Sequence, residues 1–257
     1  MIPEVIETER LIFKPFRMLS IEEKLEIGKS WANPFNARFN GQRNPYTSVE
    51  SLASLNEPTF RNFEDAYDVM YFRAVFDKKT EELVGTCRLG KYWKSENFDT
   101  WDFGFNVILK HWCKGYGVDI LKTICELARK EGAKFMRGGA CNDNFGSYNA
   151  MVKNGFRYND LDEDRDFQFL LDLSAPPRTK EEIKREWDDF IKIYDTRPDE
   201  ENATFGKEKR LKLKKINDLI KEMVARIQAG EDEDKLVAEY FEICNALVEF
   251  PEKSVGY

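Results

Sequence analysis

The segment His111-Trp-Cys-Lys-Gly-Tyr-Gly117 places two glycines, a lysine and a cysteine between a strand-like run, WDFGFNVIL, and a helical pattern, VDILKTICELARK. A helix N-terminus after such a loop offers unpaired backbone N–H groups and a favourable dipole, and glycines let a ligand come close. The chemistry on offer is anion binding, phosphate first, with Lys114 nearby; the alternative is a tight turn with a structural purpose only. No Lys-Ser/Thr pair follows Gly117, which disfavours the nucleotide cradle of P-loop proteins. The third glycine of a dinucleotide fold is also missing, and the preceding strands run as a meander instead of opening a βαβ unit. Cys113 could act as a nucleophile at a helix N-terminus, but a small space-filling residue is the stronger reading.

His111 is the only histidine, so a His-rich zinc site cannot be built, and a Ser-His-Asp triad would have to use the first residue of the loop. His111 itself reads as a surface loop residue. The five cysteines (Cys87, Cys113, Cys125, Cys141, Cys244) include no C-x-x-C pair and fall mostly in apolar-patterned segments. They read as reduced residues of a cytoplasmic protein, and no metal is expected.

The elements that must position the loop follow from pattern. A first strand lies in ETERLIFKPF (7–16), and SIEEKLEIGKSWA is a helix with Ser20 as N-cap and Glu23 three residues on. Residues 33–56 read as a loop or broken helix. DVMYFRAVF, ELVGTCRLGKYW and TWDFGFNVIL form three strands of an antiparallel meander. On the last of these, Asp102 alternates with Trp101, Phe103 and Phe105 and so faces the other side. After the loop, Val118, Leu121, Ile124, Cys125 and Ala128 make one buried helical stripe. AKFMRGGAC is a strand weakened by Gly138 and Gly139, NDNFGSYNAMVKNGF a short helix ended by Gly155, and RDFQFLLDL the last strand. The order implies an α+β fold with a mixed, mostly antiparallel sheet.

The register breaks at SAPPRTKEE, which divides the chain into residues 1–174 and a helical extension, 175–257. The extension reads as helices over 180–194, 207–229 and 232–250. Leu213, Ile216, Ile220, Met223 and Ile227 form one apolar seam, and Leu236, Tyr240, Ile243 and Leu247 a second, so the last two helices make an antiparallel hairpin.

Taken in order, ETERLIFKPF, TWDFGFNVILKHWCKGYG and NDNFGSYNAMVKNGF resemble the GNAT superfamily of acyl-CoA-dependent N-acetyltransferases. The resemblance is closest to the branch that acetylates N-terminal amines of ribosomal proteins, and it covers about residues 5–174. Gly115 and Gly117 match the family's Gln/Arg-x-x-Gly-x-Gly/Ala loop, with Trp112 at the Gln/Arg position. Asn144, Ser147, Gly155 and Phe156 match its second signature.

The resemblance implies that backbone N–H groups of Cys113, Lys114, Gly115, Tyr116, Gly117 and Val118 hold the pyrophosphate of acetyl-CoA. Pantetheine would run beside Val107 and Ile108 like a missing strand, and Asn144 would hold its arm. Asp102 stands at the family's acidic position and would be the base for the amine, its short side chain working through a water. The family's usual Tyr is replaced by Met151, which leaves Ser147 as the donor to the sulfur, with Tyr148 a weaker candidate. Trp31, Phe35 and Tyr46, with Phe60, could line the acceptor pocket.

Composition bounds the partners. A net charge of −7 repels polyanions and favours a cationic acceptor, such as a peptide N-terminus, polyamine or aminoglycoside. Between Lys207 and Arg226, eight Lys/Arg face three Asp/Glu. That basic helix reads as a solvated face paired with GEDEDK, so nucleic acid and the ribosome are not expected partners. No apolar run suits a membrane span. The extension would cover the acceptor cleft or form a homodimer. The function expected is acetyl transfer to a primary amine; the alternative is a non-catalytic acyl-CoA-binding or protein-interaction module.

Overall fold

The computed structural model describes residues 3–39, 71–91, 99–140, 144–161, 167–196 and 207–248. Its centre is one sheet whose strands are β1 (Ile6–Glu7), β2 (Leu11–Lys14), β3 (Tyr71–Asp77), β4 (Leu83–Lys91), β5 (Thr100–Val107), β6 (Phe135–Ala140), β7 (Arg157–Leu161) and β8 (Phe167–Asp172). They are ordered β1-β2-β3-β4-β5-β6-β8-β7. The β2–β5 meander is antiparallel, as the alternating pattern predicts. β5 and β6 are parallel and meet only at Thr100↔Phe135, Trp101↔Met136 and Asp102↔Arg137. Beyond Asp102 the two strands part, leaving one edge of β5 from Phe103 to Val107 without a partner strand among the described residues.

Helix α1 (Ile21–Ala32) begins with the predicted capping box: Ser20 N–H donates to Glu23 Oε2 at 2.6 Å, and Glu23 N–H to Ser20 Oγ at 3.1 Å. A short α2 (Pro34–Phe39) occupies the start of the expected irregular segment. Helix α3 (Tyr116–Lys130) follows the glycine loop and buries Ile120, Leu121, Ile124 and Ala128 on the sheet. Burying each of the larger side chains, Ile120, Leu121 and Ile124, contributes about 1.5–3 kcal/mol, so the stripe anchors α3 and the loop before it. Helix α4 (Phe145–Lys153) lies beside α3, tied by Asn154 Nδ2, which donates to Val118 O at 3.1 Å.

Strand β7, RYNDL, is not visible in the sequence pattern, because it is short, polar and an edge strand with a register shift. The apolar core of the sheet also runs past residue 175. Helix α5 (Lys180–Thr196) packs Phe190 and Tyr194 against Tyr148, Phe167 and Phe169.

Helices α6 (Lys207–Gln228) and α7 (Glu233–Leu247) form the expected hairpin. The first seam is buried throughout, but the second is shifted: Ile243 is 40% exposed, and Cys244 takes the inward position one residue on. Leu236, Val237, Tyr240 and Cys244 keep helical spacing on a wider face than the strict heptad predicts. Among the described residues no helix is long and apolar enough to cross a membrane.

Candidate active site

The two glycines of the loop answer different physical demands. Gly115 has φ +84° and caps α3, with no atom closer than 3.6 Å to where a Cβ would stand, so its backbone conformation is what requires glycine. Gly117 has ordinary torsions, but a Cβ there would lie 3.1 Å from the Phe105 ring, so helix and strand approach closely and a larger residue would require that ring to shift. Cys113 also has a left-handed φ, +61°.

The result is a run of N–H groups, Cys113 to Gly117, with no acceptor among the described residues. Val118 is outside this set, since its N–H donates to Gly115 O at 3.0 Å. The loop is held from beneath by side chains. Arg10 reaches up from the turn before β2, stacks on the Tyr116 ring at 4.0 Å, bonds Asp119 Oδ2 at 2.7 Å and donates to Lys114 O at 3.0 Å. Tyr116 donates its hydroxyl proton to Asp77 Oδ2 at 2.7 Å, so its ring belongs to the core and only its backbone is available to a ligand. Burial would raise the Asp77 carboxyl, but bonds from Tyr116, Thr80 N–H and Lys79 N–H, with the Arg10 charge, outweigh it and hold the group below its ordinary value.

His111 is not on the surface. It is 3% exposed, stands edge-on to Tyr116 at 5.6 Å, and neither ring nitrogen finds a hydrogen-bond partner among the described residues. Apolar packing between the loop and α3 outweighs the polar character that suggested exposure. Burial lowers its basicity, helped by the charges of Lys110 and Lys114, so the ring is held neutral. Cys113 is exposed, yet nearby packing desolvates its thiol enough to push it above its ordinary value against the pull of Lys221. That is the wrong direction for a nucleophile.

Along β5, Ile108 N–H donates to Val84 O at 2.9 Å. Alternation then turns the backbone groups of Phe105 and Val107 to the open edge. Of these, Val107 O already accepts from Trp112 Nε1 at 2.7 Å. Trp112, at the position expected to hold Gln or Arg, therefore ties the loop to the strand.

The opposite face of β5 carries Asp102, Gly104 and Asn106. Arg88 on β4 lies across Gly104, where a Cβ would meet its Nε at 2.8 Å, and its guanidinium bonds Asp102 Oδ1 at 3.0 Å. Asn106 Oδ1 accepts from Ser30 Oγ at 3.0 Å, and Asn36 donates to Ser30 from α2. The sequence reading missed Arg88, Ser30 and Asn106; the β4–β5 register sets Arg88 beside Asp102, and the packing of α1 on the sheet sets Ser30 against Asn106, neither of which is readable from local pattern.

Other expected residues fall as follows. Asn144 caps α4, its Oδ1 accepting from Ser147 N–H at 3.1 Å, which leaves its Nδ2 and the Ser147 hydroxyl for a ligand. Tyr148 is fully buried and donates to Ala140 O at 3.3 Å, so it is a core residue and no acid. Phe35 is fully buried under the extension, edge-on to Phe241, and has no face left for an acceptor. Trp31 is half-buried against Phe72. Tyr46, Phe60 and Cys141 lie outside the described residues. Among those described, no cluster of His, Cys, Asp and Glu is arranged to hold a metal ion.

Comparisons with known proteins agree with this architecture. A family model described as "Acetyltransferase (GNAT) domain" matches residues 10–157, more than half of the chain. Among similar solved structures is an acetyltransferase (GNAT family) from Bacillus anthracis: 15% identity, TM-score 0.53, covering 66% of this chain and 99% of that one. Another is the ribosomal-protein-S5-alanine acetyltransferase from Vibrio fischeri: 12% identity, TM-score 0.52, covering 67% and 99%. At these identities the likeness is one of fold. A search of curated proteins gave no match.

Proposed function

Because this chain belongs to the GNAT acetyltransferases, an acyl-CoA-dependent transferase family, we propose that it acetylates a primary amine where β5 and β6 part. The observation that carries this reading is the loop Cys113–Gly117, a run of N–H groups without an acceptor among the described residues at the head of α3. When bound, acetyl-CoA supplies the acetyl group as an activated thioester.

The chain's own residues divide the remaining work. N–H groups of Cys113–Gly117, with the α3 dipole and Lys114, hold the pyrophosphate. The open edge at Phe105 and Val107 takes the pantetheine amides as an added strand, a role that passes from Ile108 because its N–H is used by β4. Asn144 Nδ2 steadies the same arm. A primary amine, with a pKa of roughly 8–10, arrives protonated, so a base must act before attack. Asp102 sits at the parting of the strands and takes that proton, through a water given its short side chain. Arg88 holds Oδ1 and fixes the carboxylate, and Oδ2 meets no donor among the described residues. The Ser147 hydroxyl donates a hydrogen bond to the sulfur.

The acceptor is a primary amine, either a peptide N-terminus, as the fold likeness to the Vibrio fischeri enzyme suggests, or a cationic small molecule. The Arg88–Asp102 ion pair and the burial of Tyr148 favour a second reading, a module that binds acyl-CoA without turnover. Incubation with acetyl-CoA and a panel of peptide and small amines at mildly alkaline pH, following free thiol, separates the two. Amine-dependent thiol release is expected; binding without release across the panel would leave the second reading.

A further inference from the structure

The helical extension lies outside the matched family region, yet it touches the glycine loop directly. Gln228, the last residue of α6, donates from Nε2 to Trp112 O at 2.9 Å and to Lys110 O at 3.2 Å. Leu109 is fully buried in the apolar core of the α6–α7 hairpin, with Phe35 from α2, and Trp112 packs at its margin beside Phe39. Lys110 is tied from the other side, its Nζ bonding Glu26 Oε1 at 2.8 Å. The segment leading into the loop is thus clamped between α1 and the extension.

Lys221 lies seven residues before Gln228. At about 100° and 1.5 Å per residue, the two share one face of α6, roughly 10 Å apart along its axis. Gln228 fixes that face against Trp112 and Lys110, and the Lys221 charge is felt at the Cys113 thiol, the residue after Trp112. Lys221 is more than half exposed, and its ammonium has one ion-pair partner among the described residues, Asp218 Oδ1 at 3.0 Å on its own helix. An exposed pair of this kind contributes about 0–1 kcal/mol, so a multiply charged anion would draw the ammonium away at little cost. In a chain of net charge −7, a cation held beside a phosphate-binding loop stands against the background field.

We infer that α6 forms the outer wall of the acyl-CoA site, Gln228 positioning the loop and Lys221 supplying a cation to the phosphate groups of the ligand. The inference rests on the loop being the acetyl-CoA seat. It gives the extension a binding role.

Isothermal titration of the full chain with acetyl-CoA and with 3′-dephospho-acetyl-CoA tests it, using wild type, Lys221→Ala, Gln228→Ala and Lys212→Ala. Lys212 is on the opposite face of α6, paired with Glu208, and removes the same charge. Lys221→Ala should weaken acetyl-CoA binding about three- to tenfold. An equal loss for both ligands assigns Lys221 to the pyrophosphate, and a loss for acetyl-CoA alone assigns it to the 3′-phosphate. Gln228→Ala should weaken both ligands about threefold by loosening the loop, and Lys212→Ala should change neither. If wild type binds and Lys221→Ala matches it, or if Lys212→Ala loses as much, the inference falls while the acetyl-CoA seat stands. If wild type binds neither ligand, both fall.

Discussion

The glycine loop and the opposite face of β5 are a few residues apart in sequence and are built by opposite means. In the loop the candidate binding groups are backbone N–H groups, and the side chains around it (Arg10, Tyr116, Asp77, Asp119, Gln228) bond to one another or to carbonyls, which leaves those N–H groups without an acceptor among the described residues. On the other face the candidate groups are side chains, and they satisfy each other: Arg88 with Asp102, Ser30 with Asn106 and Asn36. On the proposed reading, the loop is prepared for an anion before one arrives. The opposite face pairs Arg88 with Asp102 while both side chains stay partly exposed, 43% and 27%, so the ion pair carries only a modest desolvation cost.

The sharpest way to break this contrast is to disable one side and watch the other. Asp102→Asn should lower kcat by about 100-fold or more while acetyl-CoA Kd stays within about twofold. Equal losses in both would mean the two regions are one unit. Gly115→Ala acts on the other side: a Cβ at φ +84° strains the cap by about 1–3 kcal/mol, and acetyl-CoA Kd should rise roughly tenfold, read by the same titration.

The support beneath the loop is tested by Asp77→Asn, expected to cost about 1–2 kcal/mol in urea unfolding at pH 7. A carboxyl held below its ordinary 3.8 stabilises the fold fully above that value and loses its contribution as pH falls through the lower folded value. The variant's unfolding free energy should therefore fall less steeply on acidification.

The smallest effect belongs to His111. Because its basicity is lowered in the fold, the unfolded chain binds a proton below pH 6.5 that the folded chain does not, so stability should decline as pH drops from 6.5 toward the folded value. As the only histidine, its C–H proton resonances report this directly; titration at or above 6.5 would contradict its burial.

What was legible in the sequence follows the same division. Backbone devices leave marks in residue type: the glycine loop reads as a tight turn into a helix, Ser20 with Glu23 as a cap, and the α3 stripe largely so, with Ile120 buried and the expected Val118 only half-buried. Side-chain partnerships depend on register and on distant segments, so Arg88 over Gly104, the burial of His111 and the covering of Phe35 by Phe241 leave none. The hairpin was readable from its seams, but its target was not: no local pattern says that Leu109 completes its core.

The most direct test of the loop as the acetyl-CoA seat is amide NMR of the full chain on titration with acetyl-CoA. The amide resonances of Cys113, Lys114, Gly115, Tyr116 and Gly117 should shift most, with Phe105 and Val107 following and Val118 moving less. Binding that leaves the Cys113–Gly117 amides in place would contradict it.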